Sequence, residues 1–239
     1  MLAESLAFPT RGDDWLKTLL IGTLLAIGGA ILVIPGIFLQ GYLLRAIRAG
    51  AAGETRPPAF DDWTGLFVDG LKFFVVTFVW VGIPLTVFAV ALPLVATFVL
   101  GFGTVAGVSP ELLGGGTGLV IIGGMGLGFL LTLVLGYFLP AAVVGLATQD
   151  RIGAAFELGA IWRVASTKEY LVGVVVLGLV FTVLGTVAGL LTLLLVGFVL
   201  QFYLQVASGH FVGQLVARAA PEPAPGRDRG ATEAAGSYA

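Results

Sequence analysis

From Phe73 to Gln149 the chain carries one charged side chain, Glu111, and from Tyr170 to Ala217 it carries none beyond the titratable His210. Uninterrupted apolar runs of this length suit hydrocarbon rather than the half-wetted face of a soluble helix. About 20 residues rising 1.5 Å each cross a hydrocarbon layer of ~30 Å. On that measure Leu19–Leu44 predicts one tilted crossing. Gly28, Gly29 and Pro35 interrupt it, which leaves a bent hairpin that enters and returns on one face as the alternative. Phe73 to about Val108 predicts a second span, broken by Pro84 and Pro93, with an exterior loop over Gly101–Gly118. Leu119–Gly145 predicts a third. Tyr170–Ala217 holds two more, joined by a tight turn near Gly185–Gly189.

Two polar-apolar segments separate these runs. In Phe60–Lys72 the apolar residues Phe60, Trp63, Leu66, Phe67 and Leu71 recur at helical spacing against Asp61, Asp62, Asp69 and Lys72. In Ile152–Glu169, Phe156, Ile161 and Trp162 oppose Glu157, Arg163 and Lys168. Both patterns predict short helices lying in the headgroup zone. The expected fold is therefore all-α: a polytopic transmembrane bundle of about five helices plus two cytoplasmic interfacial helices. Residues 1–217 form the integral membrane domain. Residues 218–239, rich in Pro, Ala and Gly, read as a disordered tail. The polar lead Met1–Lys17 mixes acids with bases. The run after it is far longer than the ~7–15 apolar residues of a secretion signal, so it reads as a retained anchor.

Three landmarks recur at offsets of 95 or 96 residues: Gly41-Tyr42 with Gly136-Tyr137, Phe60-Asp61 with Phe156-Glu157, and Lys72 with Lys168. They suggest duplicated units over about 19–100 and 119–190; two spans joined by interfacial helices would also look alike without duplication. Basic residues cluster in Arg45–Lys72, in Arg151–Lys168 and after Arg218, whereas none lies near Glu111. The excess places these segments and the C-terminus in the cytoplasm and the chain in the cell membrane. A single crossing at residues 19–44 leaves Arg11 and Lys17 on the wrong side; the hairpin removes that conflict.

Composition narrows the chemistry. Charged residues make up 11% of the chain, against roughly 25% in soluble domains. The net charge of -2 offers no footprint for nucleic acid. With no cysteine there is no disulfide, thiolate metal site or thiol nucleophile. No paired acids, histidine cluster or Ser-His-Asp set lies within the spans, so neither an enzyme nor a cofactor or metal site is expected. The polar candidates are on the last helix: Gln201 and Gln205 on one face with Ser208, and Tyr203, His210 and Gln214 on another. They suit a ligand or solute path, or hydrogen bonds between helices. Gly124, Gly128, Thr132 and Gly136 form one small-residue stripe and Gly178, Thr182, Gly185 and Gly189 a second. Such stripes pack helices within a chain or between copies.

One string is more specific. Gly41-Tyr42-Leu43-Leu44-Arg45-Ala46-Ile47-Arg48, then Pro57-Pro58-Ala59-Phe60-Asp61-Asp62-Trp63, then Asp69-Gly70-Leu71-Lys72 resembles an archaeal membrane family, the domain-of-unknown-function family 4013. Phe8-Pro9 and Asp14-Trp15-Leu16-Lys17 resemble that family's start, so the likeness is expected to reach from there to about Arg218. It implies a multi-pass membrane protein and carries over no activity, cofactor or catalytic residue. The functions in view are a non-enzymatic membrane scaffold or accessory subunit, partnered by lipid and by a second copy or another membrane protein, or else a transporter of small solutes or lipid.

Overall fold

The first apolar run breaks at Leu32. In a computed structural model, which describes residues 1–220, Leu32 is extended (φ -124°, ψ 142°) between helix α2, Trp15–Ile31, and helix α3, Val33–Ala51. Pro35 is the third residue of α3, where a missing N–H leaves no acceptor unfilled. The two helices fold back on each other because Gly28 and Gly29 have no side chains: a Cβ on Gly29 would stand 3.0 Å from the Gly36 Cα. The single crossing over Leu19–Leu44 is thus corrected to the hairpin. Its tip, Ile31 to Ile34, is apolar and exposed, Ile31 to 80%.

Phe60–Lys72 is corrected too. It is no separate interfacial helix. Asp62 caps helix α4, Trp63–Thr77, which passes through a π-turn at Phe78–Gly82 into α5, Ile83–Val105. Nothing at Lys72 or Phe73 interrupts a helix, and the wide turn accommodates Pro84, whose ring cannot join the ladder. The Gly101–Gly118 loop shrinks to Ala106–Ser109, closed by Gly107 at φ 72°. Pro110 then starts helix α6, Pro110–Gln149, which absorbs Gly114-Gly115-Gly116. The glycines there carry a weak helix propensity, yet the helix runs through them without a break.

Past α6 a 3-10 segment, Ile152–Phe156, leads to α7, Leu158–Ala165, the expected short helix of that region. Helix α8, Lys168–Leu191, follows. The last turn lies at Thr192–Leu195, beyond the expected Gly185–Gly189, with Leu195 at φ 58°. It sits there because Gly197 is the residue thin enough to abut the end of α8; its Cβ would lie 2.1 Å from the Thr192 nitrogen. Helix α9, Val196–Ala219, includes Arg218; the rest of the expected tail, 221–239, lies outside the described residues. A short helix α1, Leu2–Ala7, precedes the whole.

Helix α3 is the axis of the packing. Gly41 and Gly70 bring α3 against α4 so closely that a Cβ on either would lie 1.9 Å from the other helix's backbone oxygen, Leu66 O or Ile37 O. Gly50 and Gly213 do the same between α3 and α9, at 2.2 Å from His210 O and 2.1 Å from Ile47 O. Tyr170 braces α6 beside Pro140, the proline inside that helix. Its hydroxyl donates to Tyr137 O (2.6 Å) and accepts from the Ala141 N–H (3.2 Å), a carbonyl and an N–H four residues apart in the same helix.

Burial is lopsided. Ala141–Val144, Leu146 and Ala147 of α6 are buried with Leu44 and Ile47 of α3 and Phe211, Leu215 and Val216 of α9. By contrast α5 buries only Ala96 and Gly103, and α6 before Pro140 only Thr117 and Gly128. Val87, Leu94, Phe98, Phe102, Leu119 and Ile122 stand exposed along this hairpin. An exposed apolar surface so extensive marks a face made to meet lipid or another protein.

Every regular element among the described residues is helical. Three helical stretches are long and apolar enough to cross a membrane: Trp63–Val105, Pro110–Gln149 and Lys168–Leu194. A fourth is added when the bent pair Leu2–Thr10 and Trp15–Ile31, at 92°, counts as one. The expected five included α9, which its glutamines and His210 leave less apolar than those three.

Candidate functional site: a charged clamp and a buried histidine

Arg45 and Arg48 lie one turn apart on α3, and Asp69 and Lys72 one turn apart on α4. The crossing of these helices makes the four meet. Arg45 Nε donates to Asp69 Oδ2 (3.1 Å) and its Nη2 to Asp62 Oδ2 (2.9 Å). Arg48 reaches Asp69 (3.6 Å) and Asp150 (3.4 Å), and its Nε donates to Ala147 O at 2.8 Å. Lys72 Nζ donates to Asp150 Oδ1 at 2.9 Å. Three cations face three carboxylates, so the clamp is neutral. It joins α3 and α4 to the C-terminal end of α6, where cations favourably meet the unpaired carbonyls.

Hydrogen bonding from Lys72, helped by its charge and that of Arg48, holds the Asp150 carboxyl below its usual pKa. The Gly65 N–H and then Arg45 do the same for Asp62. Both groups are depressed in the folded chain. Their stabilisation is complete above the ordinary carboxylate range and is lost as pH falls through the folded values. The part of the stability that these two carboxylates supply, read as the melting difference in detergent between wild type and the Asp62→Asn, Asp150→Asn double variant, should therefore be constant from pH 7 to about 5 and shrink below pH ~4. Both carboxylates are well exposed, at 60% and 64%, so added salt should flatten the acid limb.

His210 belongs to a second cluster. Its ring is buried; Nε2 lies 3.0 Å from Glu54 O and Nδ1 3.1 Å from Ser5 Oγ. A carbonyl only accepts, so Nε2 carries the proton and Nδ1 accepts from the serine hydroxyl. Phe8 stacks on the ring with centroids 3.8 Å apart. Tyr203 on the same face donates to Leu6 O. This face of α9 thus binds α1 and the loop after α3, and the imidazole has both nitrogens satisfied.

Gln201 and Gln205 point elsewhere. With Ser208, Leu204, Phe181 and Gly185 they line an open recess of about 270 Å³ between α8 and α9. Gln214 is half-buried with Oε1 lacking a partner among the described residues. The four candidates therefore do not converge, and His210 does not open onto the recess. In the first small-residue stripe Gly124 and Gly128 are filled from within the chain, by Leu92 and Phe88, whereas Gly136 is open; Gly178, Gly185 and Gly189 of the second are open as well.

The clamp is what sequence reasoning overlooked. Asp62, placed by its sequence on the polar face of the Phe60–Lys72 segment, stands just before α4 and caps it, accepting from the Gly65 N–H at 2.9 Å. Its spacing of seven to Asp69, and the spacing of three in both Arg45/Arg48 and Asp69/Lys72, already put each set on one helical face.

Long apolar helices with the clamp's charges gathered at one end define an all-helical protein whose helices are able to cross a membrane. Residues 24–193 match the family described as protein of unknown function (DUF4013), and the chain belongs to that family. The match includes every residue of the clamp. It stops short of the expected limits, leaving out Phe8–Lys17 and α9. No curated protein and no solved structure matches the chain.

Proposed function

We propose that the chain is a non-enzymatic scaffold or accessory subunit of the cell membrane. Four crossings (α4–α5, α6, α8 and α9) and the re-entrant α2–α3 hairpin hold it there. With the hairpin, all ten basic residues among the described ones, from Arg11 to Arg218, fall on one side. The positive-inside bias makes that side cytoplasmic.

The observation that carries the assembly reading is the contrast between two sets of glycines. Those inside the bundle are filled by neighbouring helices. At Gly115, Gly123, Gly126, Gly178, Gly185 and Gly189, by contrast, an added Cβ would have no atom within 4 Å. Open small residues on lipid-facing helices let another helix approach closely, a second copy or a different membrane protein. The chain has no native cysteine, so Gly126→Cys gives a clean test. Oxidation in native membranes should trap a disulfide-linked dimer or a discrete cross-linked partner. A monomer at all oxidant levels, for Gly126→Cys and for Gly185→Cys alike, would contradict assembly through these faces.

One observation favours a transporter instead: the recess at Gln201, Gln205 and Ser208. If it belongs to a solute path, Gln205→Cys should react with a membrane-impermeant thiol reagent from both sides of sealed vesicles. Reaction from neither side supports the scaffold.

A further inference from the structure

The α7 segment forms a second recess, of about 530 Å³, lined by Trp80, Phe138, Leu158, Gly159, Ile161 and Trp162. Its walls are fixed. Trp80 donates its indole N–H to Ala155 O at 2.9 Å and stacks on Phe156. Trp162 stacks on Phe138 with centroids 5.9 Å apart. The volume falls within the ~300–1,000 Å³ of small-molecule sites. The lining side chains are aromatic or aliphatic, their polar atoms being two indole N–H groups: that of Trp80 is committed to Ala155, and that of Trp162 has no partner among the described residues. Such a cavity rejects a polar solute.

The rim differs. Arg163 follows Trp162 and is exposed, and its Nε donates to the carbonyl of Gly159, a wall residue, at 3.3 Å. That bond ties the guanidinium to the backbone of a wall residue, and neither terminal nitrogen has a hydrogen-bond partner among the described residues. Arg45, Arg48 and Arg151 each hold a carboxylate, whereas no carboxylate lies within salt-bridge distance of Arg163 among the described residues.

An apolar slot walled by tryptophans, on a short amphipathic helix with an unpaired arginine at its lip, has the two-part character of one kind of molecule. We propose that this recess binds a single anionic phospholipid, with an acyl chain against Trp80, Phe138 and Trp162 and the phosphate on the Arg163 guanidinium. The site requires residence in a membrane but not assembly through the glycine faces, so the two ideas fail separately.

The test is native mass spectrometry of the full chain, delipidated in detergent and then offered equal phosphatidylglycerol and phosphatidylcholine. Wild type should retain one phosphatidylglycerol, preferred about five-fold, the order expected for one basic residue near an anionic headgroup. Arg163→Gln should bring the ratio towards one while lipid is still retained. Gly159→Leu, at a position where an added Cβ meets open space, should remove retention of both lipids without unfolding the chain. Circular dichroism and melting of that variant exclude misfolding as the cause. Equal retention of the two lipids by wild type would overturn the proposal, as would an unchanged preference in Arg163→Gln or undiminished binding in Gly159→Leu.

Discussion

Gly41→Val is expected to destabilise the chain by about 3 kcal/mol, the upper part of the usual cost of overpacking a close contact. The reason is the partner. A Cβ at Gly41 would meet the Leu66 carbonyl oxygen at 1.9 Å and its carbon at 2.8 Å, and neither can rotate away. The opposite contact is the same: a Cβ at Gly70 would meet Ile37 O at 1.9 Å. Relief requires α3 and α4 to separate along the crossing that aligns Arg45 and Arg48 with Asp69, so packing and ion pairing are lost together. Gly70→Val should match Gly41→Val, and the double variant should cost less than their sum, because the first separation relieves the second clash. Gly115→Ala, with open space at its Cβ, is the control and should stay within about 0.5 kcal/mol of wild type. Melting temperatures in one detergent rank the series; equal melting for Gly41→Val and Gly115→Ala would remove α3 from its central place.

The second large effect is at Asp69. Its side chain is 11% exposed and takes Arg45 at 3.1 Å and Arg48 at 3.6 Å on one oxygen. Asp69→Asn preserves shape but removes the charge both arginines face. Removing one member of a buried pair costs about 3–5 kcal/mol, chiefly from the charge left behind. The expected value is near the lower bound, about 3 kcal/mol, because Arg45 keeps Asp62 and Arg48 is partly hydrated. Asp150→Asn offers the contrast. Asp150 is 64% exposed, so its pairs with Lys72 and Arg48 should contribute at most about 1 kcal/mol. Thermal melts of the two variants should differ clearly; if Asp150→Asn proves the more damaging, the buried half of the clamp is not what joins the helices.

The long apolar helices were legible because they depend only on composition along the chain: the single charge between Phe73 and Gln149 requires no knowledge of neighbours. The α7 helix and the α8–α9 pair were legible on the same grounds. The hairpin at Leu32 was not decided, because Gly28, Gly29 and Pro35 suit a kinked crossing as well as a reversal. What separates the two is the approach of Gly29 to Gly36, which no local pattern encodes. The Phe60–Lys72 segment misled for a related reason. Its polar face is real, but Asp62, Asp69 and Lys72 turn to Arg45, Arg48 and Asp150 rather than to lipid headgroups. An amphipathic pattern states that one face is polar and is silent about whose charges meet it. His210 was likewise visible as the lone histidine, while Ser5 and Phe8, which enclose it, lie 205 and 202 positions away in the chain.

Single-cysteine labelling in sealed vesicles examines the membrane arrangement most directly, since the natural chain has no background thiol. Asp13→Cys and Thr55→Cys should react with an impermeant maleimide from one side, and Ser109→Cys only from the other. Val90→Cys and Leu127→Cys, whose native side chains are more than half exposed, should stay unlabelled until the vesicles are dissolved. Labelling of the last two as readily as Thr55→Cys would mean that water, not lipid, surrounds the long helices; labelling of Asp13→Cys from the Ser109 side would mean that residues 15–51 cross the membrane instead of turning back within it.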